Sequence, residues 1–439
     1  MRGFYLREVR VHSITAALEN LLGFLTDDIP DAAGSRIFDT SFPLNDAFDP
    51  LSWLCSQTQF PQFYWQHRNG HEEVAALGAV RQFTSLAQAN AFLQQDQTTL
   101  RIWGLNAFEP ENGQLFLPRL EWRRDAGKAT LRLTLSSDIS LRDDAHQANA
   151  FLTTLLPSRT LPTLRGELKG ERHFPDHAGW VGLIDAATDT IARGALDKVV
   201  LARATDLRFA SPLHAGAMMA ASRRVNLNCY HFLMAFGAQS AFLGSTPERL
   251  WRRQGTQLET EALAGTVASH SDEKQARHFA DWLMHDDKNQ RENLLVVEDI
   301  CQRLQQEVSA LEVLPPQVIR LRKVQHLRRC IQAELKKPDD TRCLSQLQPT
   351  AAVAGLPREQ ARRFIDNHEP FVREWYAGSA GYLSLAQSEF CVALRSAKVT
   401  GEVARLYAGA GIVRGSDPEQ EWQEITQKAA GLRSLLLSE

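Results

Sequence analysis

Near the end of the chain, Tyr407-Ala408-Gly409-Ala410-Gly411-Ile412-Val413 reads as a buried strand running into a glycine turn, and carboxylates follow at once. The segment from Ser416 to Glu424 supplies a turn, a proline suited to a helix start, and then Glu421 and Glu424 three apart on one helical face. A small anion lying against bare backbone N–H groups, its charge bridged by Mg2+ to those glutamates, would use every part of this arrangement. Read alone, the same residues are a solvated helix face beside a tight turn. Lys198 opens the otherwise apolar strand Leu196 to Arg203. It is either a solvated strand-end lysine or a desolvated one whose neutral form can take a proton from water near neutral pH. Glu248, in Ser245-Thr246-Pro247-Glu248-Arg249, is either a turn acid paired with Arg249 or a carboxyl kept protonated by its shielding from water, able to serve as general acid. Glu292 follows Lys288 by four residues, the simplest partner on a helix, with a metal ligand as the alternative. His326 has no second His or Cys at ligand spacing and reads as a hydrogen-bonded or ring-packing group. Strand alternation puts Arg395 on the face of Ala393 and Cys391, where an inward guanidinium would want a carboxylate.

Positioning these groups takes a mixed fold. Ile14, Leu18, Leu21, Leu22 and Leu25 fall at helical spacing, and Pro30 with the polar residues after it ends that helix. Segments 63–66, 73–78, 100–104, 115–122 and 129–135 read as a meander of antiparallel strands. Residues 157–175 are rich in Pro, Gly and charge, which predicts a linker or an edge crossing. Beyond it, 196–209, 229–236, 241–250 and 257–263 read as strands. One long helix is predicted over 273–307, with Phe279, Leu283, Leu294, Val297, Ile300 and Leu304 turned inward. Segments 389–395 and 402–407 look like adjacent antiparallel strands, and the chain has no internal repeat or low-complexity tract.

Composition narrows the partners. A chain of 439 residues with a formal net charge of −3 has no clustered basic excess to meet a nucleic acid, whereas a small anion needs only local positive charge. Cys55, Cys229, Cys301, Cys330, Cys343 and Cys391 are scattered without zinc or Cys-x-x-Cys spacing, as expected of reduced thiols in the cytoplasm. Residues 1–8 lack the apolar region of a signal peptide, and no run approaches the roughly 18 apolar residues of a membrane span.

Taken together, these residues resemble the chorismate-utilising enzymes, which include anthranilate synthase large subunits, aminodeoxychorismate synthases, isochorismate synthases and salicylate synthases. The resemblance runs in order from Leu196 to Lys428: the Lys198 strand, Ser245 to Arg249, Glu261-Ala262-Leu263-Ala264-Gly265-Thr266, Glu292-Asn293, Gln325-His326-Leu327, Gln348-Pro349-Thr350, Tyr376-Ala377-Gly378, Leu394-Arg395, and Gly409 to Val413 with Glu421 and Glu424. The first third matches more loosely. The resemblance implies an α+β fold of two packed, curved, mainly antiparallel sheets with outer helices. In it, 1–165 would be a sheet-rich subdomain and 166–439 the chorismate-binding catalytic region, both parts of one large fold. It implies Lys198 as the base that activates water and Glu248 as the acid for the departing hydroxyl. Glu292 and Glu424 would hold Mg2+ with Glu421 in support. Arg395, Tyr376 and Gly409 would position substrate carboxylates, and Gly265, Thr266 and His326 would line the ring.

Three positions bear on the branch. Ammonia-adding members carry an uncharged residue such as Gln where this chain has Lys198, and aminodeoxychorismate synthases often carry a nucleophilic Lys where it has Ala264. Salicylate and siderophore-type enzymes tend to have a second Glu where it has Asn289. The resemblance therefore points to the isochorismate synthases of menaquinone biosynthesis, isomerases acting on chorismate without an obligatory glutamine amidotransferase subunit. The alternatives within the family are a salicylate synthase or a siderophore-pathway isochorismate synthase. A nucleotide-binding module built on Gly409-x-Gly411 is disfavoured, because no Gly-Lys-Ser/Thr follows and glutamates at a helix start repel phosphate.

Overall fold

Short runs of apolar and aromatic strand formers recur along the whole chain, and they pair into a 20-stranded sheet. The structure, a computed structural model, describes residues 13–437 apart from 27, 45–47, 97–98, 126 and 165. Every pairing among the described residues is antiparallel. The sheet divides at the long strand Gly113–Asp125. Glu72–Phe83 lies along one side of that strand. Ile102–Asn106 and Lys128–Ser137 share its other side at opposite ends. One arm then runs through Gln62–Gln66, Tyr230–Gly237, Ser240–Thr246, Ser396–Thr400 and Val403–Ile412 to Lys198–Phe209. The other runs through Ser379–Leu383, Gln387–Val392, Arg249–Gln254 and Gln257–Ala268 to Val324–Leu335.

The two arms pack as facing sheets. Trp65 of the first meets Trp103 of the second with ring centroids 6.3 Å apart, and Trp251 stacks on Phe390 at 4.6 Å within the same core. Strand periodicity builds a second core on the far side of the first arm: along Gln62–Gln66, Phe63 and Trp65 point into the first core and Tyr64 into the second. That second core is roofed by helices such as Ile14–Phe24, which buries Ala17 and Leu21, and Leu141–Thr153. Complete burial of a Leu- or Phe-sized side chain contributes about 1.5–3 kcal/mol relative to exposure, so a sheet covered on both faces is held by the many aliphatic and aromatic side chains it buries. Among the described residues no helix is long and apolar enough to cross a membrane.

Several sequence expectations change. The strand segments from 63 to 135 all form, but they do not make a simple meander, because Glu72–Phe83 pairs directly with Gly113–Asp125 while Leu86–Asp96 forms a helix between them. The Pro-rich stretch leads into the edge strand Leu168–Phe174, mostly exposed, beside Lys198–Phe209. The segment 241–250 is two strands broken at Pro247 and Glu248, since proline cannot donate to a ladder. The helix predicted over 273–307 is two, Glu273–His285 and Asp287–Leu304, because the Asp286 side chain accepts the Asn289 N–H as a cap. Within the second helix Asn293 shares the buried face of Val297, Ile300 and Leu304, and Leu294, one residue round from it, faces solvent. Asn293 is satisfied there by donating to the carbonyls of Ala262, Ala264 and Leu327.

Candidate active site

The expected glycine turn is not a turn. Val403–Ile412 continues as a strand through Gly409 and Gly411, which pair with Ala202 and Val200 of the Lys198 strand. What these glycines supply is space. A Cβ on Gly411 would sit 2.8 Å from Lys198 Cε, and one on Gly409 would sit 2.7 Å from the Tyr376 hydroxyl, so both side chains reach the site across bare backbone. The real turn follows at Arg414 and Gly415, the latter at φ +84°. Asp417 then caps the helix Pro418–Leu436, whose first turn carries Glu419 and Glu421, with Glu424 three residues beyond Glu421. Lys428, one turn further on, donates to Glu424 at 2.6 Å and to the Gly409 carbonyl at 2.9 Å, tying helix to strand.

Lys198 is buried, 4% exposed, and its Nζ lies 3.0 Å from Glu292 Oε1. It is thus not an isolated desolvated amine, and Glu292 turns to it rather than to Lys288. Burial alone would raise the Glu292 carboxyl, but Lys198, with Lys428 and Lys288, outweighs it and holds the group below the usual range. Glu248 behaves in the opposite way. Only 3% exposed in the two-residue break between strands, it is pushed up to about 8 by burial first and then by Glu261, against the opposing charges of Arg395 and Lys198. It therefore keeps its proton at neutral pH and is not the Arg249 partner of the simpler expectation, since Arg249 turns to Glu259 and Glu389. Glu421 is raised too, by burial and by the neighbouring charge of Glu424.

A second wall fixes orientation. The chain leaves the strand Gln387–Val392 before Arg395, which takes φ +47°. That is a conformation costing about 1–3 kcal/mol in a non-glycine residue, and it overrides the alternation that would have placed Arg395 with Cys391. Arg395 Nη2 donates to His326 Nε2 at 2.8 Å, and Thr266 Oγ1 lies 3.0 Å from His326 Nδ1. Arginine can only donate, so Nε2 is bare, the ring proton sits on Nδ1, and the Thr266 hydroxyl is left with its own hydrogen to offer a ligand. Burial, with Arg395 and Lys428, holds His326 well below the usual histidine range, which keeps the ring neutral. Gly265, at φ +87°, packs against Asn289, whose Oδ1 accepts the Thr266 N–H at 3.1 Å. Tyr376 stacks on Tyr407 at 5.0 Å.

All eleven residues singled out in the sequence line one cavity of about 850 Å3, a size within the roughly 300–1,000 Å3 of small-molecule sites. Sequence reasoning gave Lys428 no role in the site. Lys428 sits four residues after Glu424, the helical ion-pair spacing that could have flagged it. Among the described residues no three His, Cys, Asp or Glu side chains converge as a closed metal cage. Glu292, Glu421 and Glu424 nonetheless line one cavity as hard oxygen donors, and two carboxylates suffice for a cation that completes its shell with substrate and water.

Residues 105–437 match the family described as chorismate binding enzymes. The chain belongs to the chorismate-binding enzyme family. Members similar to it include isochorismate synthase MenF of Escherichia coli (strain K12), 68% identical over 431 residues that cover 98% of this chain and 100% of the relative. The MenF of Pasteurella multocida (strain Pm70) is 41% identical, covering 89% and 90%. The solved structure of the menaquinone-specific E. coli enzyme superposes with a TM-score of 0.95, over 97% of this chain and 100% of that one. Anthranilate synthase component I of Streptococcus pneumoniae, at 18% identity and a TM-score of 0.65, shares the fold.

Proposed function

We propose that this chorismate-binding enzyme is an isochorismate synthase of menaquinone biosynthesis, working in the cytosol. The observation that carries the reading is a carboxyl held protonated at Glu248, in the same cavity as the buried Lys198 amine. A protonated acid and a base on one cavity are what an exchange of hydroxyls needs. Lys198 takes a proton from water as the water oxygen bonds to C2 of chorismate. The two ring double bonds each move one place, the C4–O bond breaks, and Glu248 protonates the hydroxyl so that it leaves as water. No ammonia and no redox partner enters the balance, so a glutamine amidotransferase subunit has no part in this reaction.

Arg395 and Tyr376, with the Gly409 strand, orient the substrate carboxylates, while Gly265, Thr266 and the neutral His326 face the ring. Glu292 and Glu424 would hold Mg2+ with Glu421 beside them; the ion, when bound, supplies counter-charge for the C1 carboxylate. The raised Glu421 carboxyl, lifted by burial first and then by the charge of Glu424, is in keeping with such a site. Asn289 is tied to the Thr266 N–H, so this position brings no additional carboxylate to the cavity, in keeping with a reaction that stops at isochorismate.

Incubation with chorismate and Mg2+ should yield isochorismate, excess EDTA should abolish turnover, and added Mg2+ should restore it. Full turnover in excess chelator would remove the metal assignment and leave the acid–base pair standing.

A further inference from the structure

The N-terminal third adds one side chain to the backbone around Glu248. Arg68, in the turn after Gln62–Gln66, is 193 residues from Glu261 in sequence, yet its Nη1 and Nη2 donate to Glu261 Oε1 and Oε2 at 2.6 and 2.9 Å. The same Nη1 donates to the Pro247 carbonyl at 2.8 Å, immediately before Glu248. Glu261 Oε1 in turn accepts the Arg249 N–H at 2.8 Å, immediately after it. The residues flanking Glu248 are therefore bound by two members of one ion pair, whose side chains are 11% and 1% exposed. We propose that the Arg68–Glu261 pair is a positioning device that clamps the peptide on both sides of Glu248 and presents its carboxyl to the cavity.

Three other features bear this out. The clamp lies at a break between strands, where sheet hydrogen bonding alone does not fix the chain. Arg68 is immobilised further by its position over the Tyr230 ring, 5.2 Å from the centroid. The charged groups bearing on the Glu248 carboxyl are Glu261 from the neighbouring strand, Arg395 from the loop beyond Val392, and Lys198 from the opposite arm. Glu261 thus acts twice, through the backbone as a holder and through space as a like charge that favours the protonated acid.

The inference rests on reading Glu248 as the acid, and two measurements separate them. Titration of the protonated-carboxyl infrared band should show, in the parent enzyme, a component that titrates near 8 and is absent from Glu248→Gln; a component that still titrates near 8 in that variant overturns the reading of Glu248. The Arg68→Met/Glu261→Gln double variant removes both charges, leaves no unpaired one between them, and keeps an acceptor for the Arg249 N–H. Its band should titrate lower by on the order of one pH unit, because the like charge is gone and water can enter. Its kcat should fall by roughly 10-fold to 10²-fold, the cost of a misplaced acid. Arg68→Lys keeps the charge but cannot hold Pro247 and Glu261 together, so kcat should fall with little movement of the band. A folded double variant with the parent's titration and kcat overturns the clamp. If the double variant fails to fold, Arg68→Lys at the parent kcat overturns it instead.

Discussion

Glu248→Gln should lower kcat by roughly 10²–10⁴-fold, the range for loss of a positioned general acid, while leaving the fold as stable as before or more so at alkaline pH. The amide fills the same space but cannot deliver a proton to the C4 hydroxyl. The pH dependence follows from the same burial. With its carboxyl at about 8 rather than the ordinary 4.5, Glu248 is protonated through neutrality, so kcat/KM in the parent should fall as pH rises through about 8. The unfolded chain ionises this group near 4.5, so a raised folded value removes stability as pH rises from about 4.5 to about 8. Glu248→Gln has no such ionisation to suppress, and its melting temperature should overtake the parent's toward the top of that window. A variant that loses stability and activity together, with the alkaline fall in kcat/KM unchanged, would mark Glu248 as structural. Thermal melts and pH–rate profiles of the two proteins decide it.

Lys198→Ala should slow the addition of water by roughly 10²-fold or more, the usual scale for a general base. The substitution also leaves Glu292 without its partner at 3.0 Å, so Mg2+ binding and catalysis should move apart. Calorimetric affinity for Mg2+ should rise or hold, because a competing cation has been removed, whereas turnover collapses at saturating metal. Turnover at the parent rate in a variant that folds and binds chorismate would place the base elsewhere.

Much of this site could be read before the fold was known, for a physical reason. Lys198 and Glu248 are polar residues set in apolar strand contexts, and Glu421 with Glu424 share a helix face near glycines, so each is visible within a short window of sequence. The helix starting at Pro418 follows from local capping chemistry, and the strands from 62 to 137 follow from their apolar patterns. The misreadings come from interactions that span the chain or from small local breaks. Asp286 interrupts a helical pattern by capping the second helix, and within that helix Leu294 turns outward because it lies one residue off the face shared by Asn293, Val297 and Ile300. Gly409 and Gly411 look like turn residues until the Tyr376 hydroxyl and the Lys198 side chain are seen crossing them. Arg395 departs from strand alternation because the chain has already left its strand. The pairings of Lys198 with Glu292 and of Arg68 with Glu261 join residues 94 and 193 positions apart, distances over which no periodicity carries information.

The measurement that bears most directly on the function is product analysis in labelled water. Starting from chorismate or from isochorismate with Mg2+, chromatography should show the two approaching one fixed ratio from either side, because they differ only in the placement of one hydroxyl and two double bonds. The oxygen at C2 of newly formed isochorismate should carry the label of the solvent. Salicylate and pyruvate accumulating in step with chorismate loss, faster than spontaneous breakdown, would contradict an enzyme that stops at isochorismate.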